Sequence, residues 1–121
     1  MRWPRTFRRT KEFDDERDLA SSGLDTLHLL PSNDIATIEE DRSKQAEPPC
    51  DLRAFGPASP EQQACVEQVK DADGFNWGYD PLHYTTPEGS YATDPDGTRR
   101  TVEFRRMVQG LNRNGMQVVM D

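Results

Sequence analysis

Seven consecutive residues, Phe75-Asn76-Trp77-Gly78-Tyr79-Asp80-Pro81, concentrate the groups best suited to chemistry. Trp77 and Tyr79 offer flat aromatic faces that stack on a pyranose ring, while their polar tips still hydrogen-bond at a wet edge. Asn76 supplies donors and an acceptor for hydroxyl groups, and Asp80 supplies acceptors. Gly78 lets the backbone pass close to something bulky or take a positive φ. Pro81 stops a regular element from running on. The chemistry this composition suits is the binding of a neutral sugar. Aromatics of this kind in a glycine loop, taken alone, are more commonly packing anchors.

Other reactive groups read more plainly. His28 lies among leucines, where a histidine is expected as a satisfied core residue rather than a base. His83 has no carboxylate or nucleophile placed by a motif to partner it, and reads as a loop residue. Glu39-Glu40-Asp41 reads as a solvated loop rather than a calcium site, and Asp14-Asp15-Glu16 as the acidic start of a helix rather than a metal site. Cys50 and Cys65 are the two cysteines. Their spacing does not fit zinc, which needs four clustered ligands. One bridge or two free thiols both remain open; a bridge would add about 3 kcal/mol in the chain-entropy model and imply an oxidising compartment.

The elements that must position these groups follow from hydropathy and breakers. Residues 1–13 are basic at their start and interrupted by Pro4, and are expected as a disordered tail. Asp14 to Ser22 is a helix candidate that Gly23 stops. Asp25 to Leu30, ended by Pro31, fits a buried parallel strand. Pro31 to Gly74 is a long polar excursion broken by prolines. Within it, Ser59-Pro60-Glu61-Gln62 reads as a helix start, with Ser59 as N-cap and Gln62 closing a capping box, and the helix runs to about Lys70. Asp94-Pro95-Asp96-Gly97 is a turn. From Thr98 to Asn114, the positions Phe104, Met107, Val108 and Leu111 form one apolar helical stripe, with Arg99, Glu103, Arg106 and Arg113 opposite. Gly115 stops that helix, and Met116 to Met120 reads as a second buried strand. Strand, excursion, helix, strand is a βαβ unit whose strands should lie parallel.

Composition narrows the partners. Hydrophobic residues make 33% and charged residues 31% of 121 residues, so the core must be thin. A net charge of −7 disfavours nucleic acid and anionic membranes. No run approaches the ~18 apolar residues that span a bilayer, and no secretory signal is read, so a soluble chain of undefined compartment is expected.

Several longer stretches carry a resemblance. Asn76-Trp77-Gly78-Tyr79-Asp80-Pro81 resembles the signature of type I pullulanases, debranching enzymes of the α-amylase superfamily. Leu27-His28-Leu29-Leu30-Pro31 is similar to that family's second barrel strand. Pro87-Glu88-Gly89-Ser90-Tyr91-Ala92-Thr93-Asp94-Pro95-Asp96-Gly97 is similar to its loop before the next helix, and Val118-Val119-Met120-Asp121 to the start of its third strand. The resemblance implies an α/β fold: residues 14–121 as part of a (β/α)8 barrel, one βαβ unit with a long loop-and-helix insertion. A complete barrel takes ~250 residues, so the chain is expected as a fragment from the N-terminal part of the catalytic barrel.

The resemblance also assigns roles. Tyr79 would stack on the sugar at the cleaved α-1,6 bond, Asp80 would hydrogen-bond near that subsite, and Asn76 and Trp77 would shape the loop. Asp121 would be a structural group near the site. The family's catalytic carboxylates, which act by a retaining mechanism, have no counterpart here, so no catalytic residue and no metal ligand is assigned. The implied partner is an α-glucan, with the remainder of the barrel missing. No cofactor is expected, calcium in a full-length parent being left open. The implied activity is debranching of starch, glycogen or pullulan, absent in this chain alone. The alternatives are a small carbohydrate-binding or interaction module and a non-functional truncated product.

Overall fold

The computed structural model describes residues 17–121. The basic segment 1–13 and Asp14 to Glu16, expected as the acidic start of a helix, lie outside the described residues. Helix α1 is described from 17 to 21. Its end is a Schellman motif: Gly23 at φ 98° donates its N–H to Ala20 O at 3.1 Å, and Leu24 N–H reaches Leu19 O at 3.2 Å. Gly23 is therefore the stop that the sequence suggests.

Strand β1 (Thr26–Leu29) pairs in parallel with the last strand, β4 (Gln117–Met120), in the register Thr26↔Gln117 to Leu29↔Met120. The expected parallel pair is present. Its expected burial is not. Leu27, Leu29 and Val118 are half-buried, whereas His28, Val119 and Met120 are exposed. A two-stranded sheet packed on one side leaves alternate side chains in water. His28 is thus a surface residue rather than a core one, and Met116, just before β4, is the buried side chain at that end, 1% exposed.

Helix α3 (Arg99–Arg113) leads into β4. A second Schellman motif closes it: Gly115, at φ 81°, binds Asn112 O at 3.0 Å, and Met116 N–H binds Leu111 O at 3.1 Å. The motif brings its two apolar flanks, Leu111 and Met116, to the core together. Of the expected stripe, Leu111 is buried and Phe104, Met107 and Val108 are half-buried. Glu103 departs from its expected polar face. It is buried, and its carboxylate accepts Thr93 N–H at 2.9 Å and the Thr93 hydroxyl. A carboxylate with two donors is tolerated inside, and it ties the 92–97 loop to the helix.

The excursion after β1 holds structure that the breaker residues conceal. Strand β2 (Asn33–Ile35) pairs antiparallel with β3 (Pro81–Pro87), with register shifts on both sides of Asp34. Prolines at both ends of β3 give no ladder N–H and confine the pairing. Helix α2 (Pro60–Val66) starts as expected, with Ser59 accepting Glu61 N–H and Pro60 in the first turn. The capping box does not form. Gln62 instead donates from Nε2 to Leu52 O and Phe55 O, both at 3.2 Å, and holds the 3-10 turn Leu52–Ala54 against the helix. The helix stops at Val66, short of Lys70, and continues as turns. Cys50 and Cys65 are joined in a disulfide across this unit.

Among the described residues, the buried apolar side chains are Ile35, Cys65, Ala92, Leu111 and Met116. An equally substantial buried polar set, Ser32, Asn33, Asp34, Glu88, Ser90 and Glu103, lies beside them.

Candidate functional site

The aromatic loop is seated at the carboxyl ends of the parallel strands. Gly78 is buried at φ 77°, and a Cβ there would stand 2.2 Å from Pro31 O, two residues beyond β1. Both properties anticipated for this glycine are therefore used. The next residue, Tyr79, donates its hydroxyl to Asp121 Oδ2 at 3.0 Å, immediately after β4. This carboxylate acceptor favours the protonated phenol and raises the Tyr79 pKa. Open α/β sheets and barrels bind ligands at this same end of their strands.

The rest of the loop is fixed from behind. Asn76 Oδ1 accepts the Tyr91 hydroxyl at 3.1 Å, and Asp73 Oδ1 accepts Phe75 N–H at 2.9 Å. Asp80 O accepts Ala36 N–H at 2.9 Å, beside the end of β2, and leaves the Asp80 side chain exposed. Trp77 and Phe75 meet edge to face, centroids 6.0 Å apart at 83°. Phe75 is 72% exposed, and Trp77 and Tyr79 are 63% exposed each. Held backbone with open rings is the arrangement a stacking platform requires. Of the residues singled out in the sequence, Tyr79 and Asp121 are thus brought into contact, Asn76 turns to Tyr91, and Trp77 and Asp80 face outward. Beside the loop, Thr37, Ile38, Lys70, Asp71, Asp73, Phe75 and Asn76 line a cleft of about 370 Å³.

A charged network joining β2, β3 and α3 was not legible in the sequence. His83 lies on β3, not in a loop, and its Nδ1 is 2.6 Å from Asp34 Oδ2. Arg100 Nη1 is 3.2 Å from Asp34 Oδ1 and 2.6 Å from Glu40 Oε1, with Nη2 on Glu40 Oε2 and 2.6 Å from Pro95 O. Glu40 is therefore clamped in a bidentate pair rather than solvated. Asp41 keeps the loop role expected of it, accepting from Ser43 and pairing with Lys44 at 3.3 Å. Burial acts to raise the Asp34 pKa, but the hydrogen bonds, His83 foremost, and the Arg100 charge outweigh it and hold the carboxyl low. The Arg100 pKa is raised, chiefly by its bonds to Glu40.

Asp34, Glu40 and Glu88 bring carboxylate oxygens within 4.8 Å of one another, a spacing open to a cation. Their chemistry is already complete. Arg100 supplies the positive charge, and Glu88, 0% exposed, accepts Ile35 N–H and Ser90 N–H at 2.7 Å each.

The chain matches no protein-family model. Against curated proteins, it is 40% identical to pullulanase 1, chloroplastic, of Arabidopsis thaliana, over 85% of this chain and 11% of the relative. The chain is pullulanase-like. It spans about a tenth of that relative's length. Its small α/β fold superposes on apo pullulanase from Klebsiella pneumoniae with a TM-score of 0.74 and 34% identity, over 89% of this chain and 15% of that one. A pullulanase from Paenibacillus barengoltzii, solved with maltotriose, is similar at a TM-score of 0.53 and 30% identity, over 88% of this chain and 13% of that one. Among the described residues, no helix is long and apolar enough to cross a membrane.

Proposed function

We propose that this chain forms part of the α-glucan-contacting wall of a pullulanase-type debranching glycosidase. In this reading β1 and β4 are the second and third strands of a (β/α)8 barrel. Tyr79 stacks on the sugar at the cleaved bond, Asp80 hydrogen-bonds beside it, and Asn76 and Trp77 shape the loop. Two carboxylates contributed elsewhere in the complete enzyme carry out retaining hydrolysis. The chain alone leaves the glycosidic bond intact, because its clustered acids Asp34, Glu40 and Glu88 are engaged by Arg100, His83 and backbone N–H groups. It uses no cofactor of its own.

One observation carries this reading: Gly78 on Pro31 and Tyr79 on Asp121 seat an exposed aromatic loop at the carboxyl ends of both parallel strands. Titration of the full chain with maltotriose, followed by amide chemical shifts, tests it. The expected result is saturable shifts confined to residues 75–80 and their neighbours. No shifts at millimolar sugar, or shifts scattered over α2 and α3, would discard the reading. In a parallel assay, release of reducing ends from pullulan above a mock preparation would discard the inactivity.

A further inference from the structure

Tyr91 stands behind the aromatic loop and bonds to it through Asn76. It closes the 3-10 turn Gly89–Tyr91, whose N-cap is Glu88. Glu88 is wholly buried and anchors the turn twice, through Ser90 N–H and through Ile35 N–H of β2. Ala92 N–H returns to Gly89 O at 2.9 Å. On its other side the turn packs so closely that a Cβ on Gly89 would lie 2.5 Å from both Arg100 Nη2 and Glu40 Oε1. The backbone under Tyr91 is therefore held by β2 and by the Arg100–Glu40 pair together.

From this base the half-buried Tyr91 side chain sends its hydroxyl to Asn76 Oδ1. Asn76 Nδ2 points to Gly74 O at 3.4 Å. A primary amide has two N–H donors and one oxygen. With the oxygen committed to Tyr91 and one donor directed at Gly74, one N–H is left for a ligand acceptor. A sugar hydroxyl oxygen is such an acceptor.

We propose that Tyr91 is the positioning residue of the 76–80 loop. Its phenol fixes the Asn76 amide with an N–H turned to a glycan hydroxyl, and it keeps Trp77 and Tyr79 presented at the carboxyl ends of β1 and β4. Tyr91 does not touch the sugar. The sugar part of this proposal rests on the functional reading above; the tether itself does not. Burial raises the Tyr91 pKa, which keeps the phenol a donor throughout the neutral range.

The test is amide hydrogen exchange on the full chain carrying Tyr91→Phe, with maltotriose titrated in parallel. Loss of one net hydrogen bond should speed exchange at residues 76–80 about fivefold, leave α3 and β4 amides unchanged, and weaken maltotriose by a similar factor. Unchanged exchange in the loop, or an equal rise everywhere, overturns the proposal. Should Tyr91→Phe fail to fold, Asn76→Asp and Asn76→Ala decide the matter. The aspartate keeps the acceptor and should keep the loop protected, whereas the alanine should lose protection, and identical behaviour of the two overturns the tether. If wild type shows no sugar shifts while Tyr91→Phe still loosens the loop, the sugar reading alone falls. Sugar shifts in wild type with an unchanged loop in Tyr91→Phe would overturn the tether alone.

Discussion

Gly78 carries two constraints at one position, a left-handed φ and a backbone oxygen where a Cβ would sit. Gly78→Ala should therefore destabilise the chain by about 2 kcal/mol or more, read from urea unfolding. A loss below the error of the midpoint would mean that the loop relaxes away from Pro31. Asp34 makes a pH prediction. Its folded pKa lies below the ordinary carboxylate value, so its stabilisation is complete above about pH 4 and disappears as pH falls through the folded value. Urea midpoints at pH 5 and pH 3 should differ less in Asp34→Asn than in wild type. Gly78 was legible in the sequence because glycine between two large side chains has few other uses. His83 and Glu40 were not, because their partners lie 49 and 60 residues away and no short motif links them. Glu103 was misplaced for another reason. Helical periodicity assigns a charged residue to water unless a loop supplies donors, and Thr93 does so.

At the level of elements, the legible parts were those with local punctuation. Gly23 and Gly115 end their helices through backbone bonds spanning only a few residues, and Ser59 with Pro60 starts α2. Strands β2 and β3 escaped because Asn33-Asp34-Ile35 has no strand periodicity and β3 begins and ends in proline. Their pairing is sustained by buried polar contacts instead. Arg100 is the joint between these strands and α3, so Arg100→Leu, which strands Asp34 and Glu40, should cost about 3 kcal/mol. Arg100→Lys should recover only part of it, since an ammonium cannot make the bidentate pair. Equal stability of the lysine variant and wild type would show that charge alone suffices. The Cys50–Cys65 bridge ties α2 to the preceding segment. Reduction should lower stability by about 3 kcal/mol in the chain-entropy model, and an unchanged melting temperature after reductant would contradict that.

At the scale of the whole molecule, the described residues expose much apolar surface. Leu30, Val119 and Met120 are exposed around the β1–β4 pair, Val119 at 44%. Among the described residues, each strand of the β1–β4 pair also keeps one open hydrogen-bonding edge, which invites pairing with another chain. Val119→Lys should therefore raise the monomer fraction in sedimentation velocity, and an unchanged distribution would show that other surface drives association. Arg100 also bears on the order in which the molecule assembles. Its guanidinium closes contacts with residues 60 and 66 positions upstream, which require large loops to be shut beforehand. Such a clasp belongs late on the folding route. In stopped-flow kinetics its removal should leave the refolding rate nearly untouched and accelerate unfolding, so that Arg100 sets how long the native state survives rather than how quickly it is found.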